Sequence, residues 1–218
     1  MGRRLASVAV LAVLALGLAA CGGSGSDAAS SATTSAERGY RPEPRREVGE
    51  FSLADYAAAT PGTPFALAAE PGELLLVYFG YLSCPDICPL SMGDIAAALD
   101  VLGEDAAKVD VAFVTVDLER DEGPDIAEYM THFFVPEQSR ALRADDELEL
   151  RAVTYEFGAQ WSIEPHEPGE FYGVAHSGTT FAVDDRGEVV WAWPFGTTGD
   201  ELAQTIRRLL AEPGAATT

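Results

Sequence analysis

Residues 74–89 read LLLVYFGYLSCPDICP. The run Leu74–Tyr81 is apolar almost throughout, which suits a strand buried on both faces of a sheet. Ser83-Cys84-Pro85-Asp86-Ile87-Cys88-Pro89 follows directly. A helix is expected to start there, to carry Ile95, Leu99 and Leu102 on one face, and to end near Gly103. The stretch is therefore a buried strand that turns into a helix, with two cysteines at the turn.

Outward from it the same alternation continues. Phe51–Asp55 and Thr63–Ala68 are short extended segments separated by the turn signal Thr60-Pro61-Gly62. Val109–Asp117 (VDVAFVTVD) is a second buried strand. Pro124–Phe134 reads as a helix, and Asp145 as the cap of another that runs to Phe157 with Leu148, Val153 and Phe157 inward. Residues 158–175 hold Trp161, Pro165, Pro168 and Gly169 and suggest an excursion of short strands. Thr179–Val183 and Glu188–Trp193 flank the turn Asp185-Arg186-Gly187. Asp200–Ala211 is an amphipathic helix with Leu202, Ile206, Leu209 and Leu210 on its apolar face. The pattern predicts an α/β fold: a central mixed β-sheet flanked by helices, with an inserted β-hairpin. Trp161, Phe171, Tyr172, Trp191 and Trp193 are expected to serve core and hairpin packing.

Cys84 and Cys88 carry the chemistry. Unpaired N–H groups and the positive dipole end at a helix N-terminus favour thiolate. Thiolate is the nucleophile of disulfide exchange and the soft ligand that suits Cu(I). Residues four apart on a helix face the same way, so both sulfurs can meet one ion. Pro85 removes one N–H donor from the turn, and Pro89 pre-sets a helical φ just after Cys88. A structural zinc site would want four ligands. A Cys84–Cys88 disulfide would close too small a loop to stabilise the fold much. His132 lies in a predicted helix beside Phe133 and Phe134, and His166 in a Pro-rich loop; neither is expected to be a ligand.

The 218 residues include 14 Lys+Arg, 35 Asp+Glu and three cysteines, for a net charge of −21. The acid excess argues against nucleic-acid binding, which needs clustered Lys/Arg. Three cysteines are too few for a disulfide scaffold. Arg3 and Arg4 precede an apolar run, Leu5–Ala20, shorter than the roughly 20 residues a spanning helix needs. It ends Leu18-Ala19-Ala20-Cys21, followed by Gly22-Gly23-Ser24-Gly25. This pattern reads as a secretory signal over residues 1–20. The competing reading is an uncleaved anchor helix. Loss of 1–20 removes two arginines and no acid, leaving 12 against 35, or −23. Two readings of the acidity stay open: docking partners that are basic rather than acidic, or a surface charge that serves only solubility. Residues 21–48, rich in Gly, Ser and Ala and then Arg, Pro and Glu, read as a flexible linker spanning on the order of 25–30 Å. The folded domain is expected over 49–213.

The Ala20-Cys21 junction resembles the lipobox of bacterial lipoproteins, which implies that Cys21 is acylated. Tyr78-Phe79-Gly80-Tyr81-x-x-Cys84-Pro85-Asp86-Ile87-Cys88-Pro89 resembles the copper-site segment of the SCO/SenC family. Phe113-Val114-Thr115-Val116-Asp117-Leu118-Glu119-Arg120-Asp121 is similar to that family's second strand and acidic loop. His176-Ser177, followed by Thr179–Asp184 and Gly187, is similar to its histidine segment. The three motifs occur in order over residues 49 to 212. Two positions depart from the family pattern: Leu118 stands where a proline is common, and Ala175 where an aspartate is common. The second leaves orientation of the imidazole to another group.

The resemblance implies a thioredoxin-like fold that binds one copper ion, Cu(I) or Cu(II), through Cys84, Cys88 and His176. It implies that Asp117 and Asp121 back the site or face a partner and are not ligands. The expected function is that of a copper chaperone, lipid-anchored on the extracytoplasmic side of the cell membrane. It would take copper from an upstream donor. It would deliver it to the copper-centre subunit of a cytochrome c oxidase, where the dinuclear centre is assembled. The alternative is a thiol-disulfide oxidoreductase in which Cys84 and Cys88 are a redox pair that keeps the oxidase's copper-ligand cysteines reduced.

Overall fold

A computed structural model describes residues 37–212. The signal segment and Cys21 lie outside them. Nine strands and four α-helices are present among the described residues. The strands are β1 (Ser52–Asp55), β2 (Thr63–Ala66), β3 (Leu74–Gly80), β4 (Val109–Thr115), β5 (Ser139–Arg143), β6 (Trp161–Ile163), β7 (Val174–His176), β8 (Thr180–Val183) and β9 (Val189–Trp193). The helices are α1 (Ile87–Leu102), α2 (Gly123–Met130), α3 (Glu147–Phe157) and α4 (Gly199–Ala211). Seven strands form one mixed sheet in the order β2-β1-β5-β4-β3-β8-β9, and β6 and β7 form a separate two-stranded ribbon.

The apolar stretch Leu74–Gly80 lies in the interior of the sheet. β3 pairs in parallel with β4 and antiparallel with β8, and all seven of its residues are buried. Its side chains alternate between two cores. Leu74, Leu76 and Tyr78 pack with Ile95 and Leu99 of α1, Ile126 of α2, and Leu202 and Ile206 of α4. Leu75, Val77 and Phe79 pack on the other face with Leu150, Val153 and Phe157 of α3. The parallel β3–β4 pair requires a crossover, and α1 supplies it. α1 stops at Gly103, whose φ of +62° favours glycine.

Several expectations change. β5 was not legible, because SRALR places arginines on either side of a short apolar pair; it nevertheless pairs with β4 and β1. α2 ends at Met130, and residues up to Phe134 continue as turns. α3 is capped by Asp146, whose side chain accepts from the Glu149 N–H at 2.9 Å. Leu148 points outward and is 78% exposed, because the buried stripe is Leu150, Val153, Thr154 and Phe157, at i, i+3, i+4 and i+7. Phe171, expected to pack, is 92% exposed.

The folded unit also starts before residue 49. Tyr40 exchanges both backbone hydrogen bonds with Ala192, at 2.9 and 2.8 Å, and the Val48 N–H donates to the Gly187 carbonyl at 2.7 Å. Arg41 pairs with Glu212 at 2.8 Å and Arg45 with Glu188 at 2.5 Å. These residues cover the outer edge of β9, which would otherwise present unpaired groups. Main-chain bonds and ion pairs hold the arm, so hydrophobic patterning gave no sign of it. Thr180 is paired with both Tyr78 and Trp193, so β9 ends on the same side of the sheet as β3. Arg38 donates to the Gly196 carbonyl at 2.8 Å just beyond β9, so the chain enters the folded unit at the cysteine end.

Leu76 is fully buried in the central strand. Leu76→Ala is expected to destabilise the protein by about 2–5 kcal/mol in urea unfolding. A loss under about 1 kcal/mol would contradict this packing.

Candidate metal centre

The site begins where β3 ends. A Cβ on Gly80 would lie 2.9 Å from the Cys88 sulfur and from the Phe113 ring, so only glycine lets the chain pass under Cys88. The backbone then turns, with the Cys84 N–H donating to the Tyr81 carbonyl at 3.2 Å. Cys84 lies two residues before the N-cap Asp86, and Cys88 is the second residue of α1. The two sulfurs therefore do not share a helix face as expected. The turn folds Cys84 back, and the Cys88 N–H points at its sulfur at 3.5 Å. Both cysteines are free thiols.

His176 arrives from 88 residues further on. It ends β7, opposite Trp161 of β6, and the Ser177 N–H donates to the Gln160 carbonyl at 2.8 Å. This ribbon sets His176 Nε2 3.4 Å from the Cys88 sulfur and 3.9 Å from that of Cys84. The three ligand atoms lie within 4.8 Å of one another, close enough for one ion to reach all three. No other such cluster of metal-binding side chains occurs among the described residues. Cys84 and His176 are half-buried, and an open cleft of about 370 Å³ runs beside His176 between Gln160 and Ser177.

Burial sets the protonation. Cys88 is 1% exposed, and desolvation pushes its thiol far up. The thiolate expected at the helix start is therefore not the resting form of Cys88. Burial pulls the His176 imidazole down, so it is neutral at neutral pH. Its Nδ1 lies 3.3 Å from the Ser177 carbonyl, where an Nδ1–H donates and leaves the Nε2 lone pair toward the sulfurs. The rings of Tyr78 and Tyr81 meet the imidazole edge-on, with centroids at 6.0 and 5.5 Å.

Asp117 and Asp121 are 0% and 1% exposed, which removes the partner-facing reading. Asp121 accepts from Thr115 Oγ1 at 2.6 Å and from the Leu82 N–H at 2.9 Å, and so holds the loop that carries Cys84. Burial pushes its carboxyl up. Asp117 accepts from Arg120 Nε at 2.5 Å and from the Tyr172 hydroxyl at 2.7 Å. Neither belongs to the ligand cluster. His132 turns its Nδ1 to the carbonyls of Glu128 and Tyr129, and His166 stacks on Tyr172 at 3.8 Å with its Nε2 3.0 Å from Glu119. Both stay outside the site. Tyr78, Tyr81 and Arg120 also surround the site, although neither burial pattern nor residue chemistry marks them as site residues. Their position in the quoted motifs was the available signal.

Comparison with known proteins gives a consistent result. The family model described as SCO1/SenC matches residues 41–211. The chain is 32% identical to Protein SenC of Rhodobacter capsulatus over 60% of this chain and 62% of that one. It is 26% identical to an SCO2-like protein of Rickettsia conorii over 73% and 75% of the two chains. Among solved structures, ScoI of Bradyrhizobium japonicum with copper bound is 28% identical, with a TM-score of 0.60 over 72% of this chain and 96% of that one. Apo Sco1 of Thermus thermophilus is 25% identical, with a TM-score of 0.65 over 78% and 95%. The thioredoxin-like fold expected from the sequence is the fold observed. The matched span takes in both cysteines, the acidic loop and the histidine, and on it the chain belongs to the SCO1/SenC family.

Proposed function

We propose that this chain is a copper chaperone. It carries one copper ion on Cys84, Cys88 and His176 and delivers it to the dinuclear copper centre of a cytochrome c oxidase during assembly. The observation that carries this reading is the cluster of two sulfurs and one neutral imidazole within 4.8 Å, two of its members half-exposed. Two soft thiolates and an imidazole without a fourth protein ligand suit copper better than a closed structural zinc site. The copper-bound relative from Bradyrhizobium japonicum supports the same choice of metal. Transfer proceeds by ligand exchange: incoming ligands take the metal as the half-exposed Cys84 and His176 let go, and the buried Cys88 follows last. The upstream donor loads the site by the reverse exchange. We place the protein on the extracytoplasmic side of the cell membrane, held by a lipid on Cys21. Among the described residues no helix is long and apolar enough to cross a membrane.

One observation favours a second role on the same atoms. Cys84 and Cys88 are both free thiols, and Cys84 is half-exposed. Cys84 as thiolate can attack a partner disulfide and form a mixed disulfide with one sulfur while the other leaves as thiolate. Cys88, on losing its proton, then attacks Cys84 and releases the second partner thiol. The partner gains two electrons and this chain ends as the Cys84–Cys88 disulfide.

Titration of the reduced chain with Cu(I) is expected to show one equivalent bound, and the Cu(II) form a sulfur-to-copper charge-transfer band that His176→Ala weakens. A reduced chain that binds no copper yet rapidly reduces a partner disulfide would leave only the second role. Binding must expel the Cys88 proton, whose affinity burial has raised, while His176 is already neutral. Apparent Cu(I) affinity is therefore expected to rise about tenfold or more per pH unit near neutrality. A flat profile between about pH 7 and 8, above the ordinary imidazole range, would contradict the protonated resting thiol. Cys21→Ala is expected to move the protein from the membrane fraction to the soluble one with copper binding unchanged. Retention in the membrane would assign the anchor to residues 5–20 instead.

A further inference from the structure

We propose that Arg120 is a positioning residue that sets the distance between His176 and the two thiols, an inference that rests on the metal-site reading above. The three ligands come from two segments far apart in sequence, and no backbone bond runs directly between Cys84 and His176. The nearest ladder between the two segments, β3 with β8, begins at Thr180, four residues beyond His176. Arg120 touches both segments.

On one side, the guanidinium lies 3.8 Å from the centre of the Tyr172 ring, and Nη1 donates to the Tyr172 carbonyl at 3.3 Å. Tyr172 stands four residues before His176, two residues ahead of the strand that delivers it. On the other side, the same guanidinium lies 5.7 Å from the centre of the Tyr81 ring, within reach of a cation–π attraction. Tyr81 stands three residues before Cys84, its carbonyl accepts the Cys84 N–H, and its ring meets the His176 imidazole at 89°. One cation thus joins the segment that brings the imidazole to the segment that brings the thiol.

Asp117 fixes the cation. Its two oxygens are divided between Arg120 Nε and the Tyr172 hydroxyl, so the carboxylate sets both the guanidinium and the ring it covers. Asp117 itself lies two residues beyond β4, the strand paired with β3, and belongs to neither ligand segment. Arg120 Nη2 is buried without a hydrogen-bond partner. The internal hydrogen bonds therefore do not use the whole guanidinium, as expected if it is held for its contact with the rings. Arginine suits this place because its planar fork both pairs with a carboxylate and stacks on aromatics.

The test uses Arg120→Met, which keeps much of the volume without the charge, and Tyr81→Leu, which leaves the Arg120–Asp117 pair in place. In the full chain each is expected to weaken Cu(I) binding by about 10–100-fold, the range for groups that orient a ligand. In a His176→Ala background either change is expected to cost less than about twofold, since its effect passes through the imidazole. Equal losses in both backgrounds, or no loss in either, would overturn the proposal. A second readout needs no copper. The His176 ring signals in NMR spectra of the metal-free chain are expected to shift and broaden in both variants, and ring signals unchanged from the parent would overturn the proposal even where copper still binds. If the parent chain binds no copper, the chaperone reading fails and the ring signals alone decide the role of Arg120.

Discussion

Burial of β3 on both faces is the constraint on which the site depends. The strand is locked between β4 and β8, with one core above and one below. A strand held so firmly ends at a fixed place, and Gly80 is that place. The close passage of Gly80 under the Cys88 sulfur ties the start of α1 to the strand end. Cys88 therefore belongs to the hydrophobic core as much as to the site. Its sulfur is dry, its proton is tightly held, and it changes state only when a metal or a disulfide partner compensates for the cost of burying the thiolate.

The other two ligands are held more lightly. Cys84 lies in a turn whose Leu82 N–H is fastened to Asp121, and His176 lies at the end of a short ribbon outside the main sheet. His176 borders an open cleft, and Cys84 is half-exposed. The site thus has one anchored ligand and two on adjustable segments, and the adjustable pair faces solvent. That asymmetry fits transfer by stepwise exchange, because the exposed ligands can be replaced first while the buried sulfur retains the ion. The chain enters the folded unit at this same end, beside Gly196.

Much of the fold was legible because it is written in hydrophobic period. β3, β4, β8, β9, α1 and α4 all carry continuous or amphipathic apolar patterns, and the structure places them within a few residues of expectation. Failures cluster where polar bonds decide the structure. β5 holds its place through ladder bonds that two arginines disguise. The arm at residues 37–48 is fastened by ion pairs and a few main-chain bonds. In α3 the cap is Asp146, fixed by one polar bond to the Glu149 N–H, and Leu148 falls off the Leu150–Val153–Phe157 stripe. At the site, the cysteines and histidine were legible from residue type and order. Their support was not, since the burial of Asp117 and the stacking of Arg120 between two segments are tertiary facts.

The central claim is that a single copper ion sits on two sulfurs and one imidazole. Copper-edge X-ray absorption of the loaded protein tests it most directly. The account predicts two sulfur neighbours and one imidazole nitrogen at each copper, with the nitrogen signal lost in His176→Ala. A spectrum of sulfur neighbours alone with a nearby second copper would contradict it, as would one unchanged when His176 is removed.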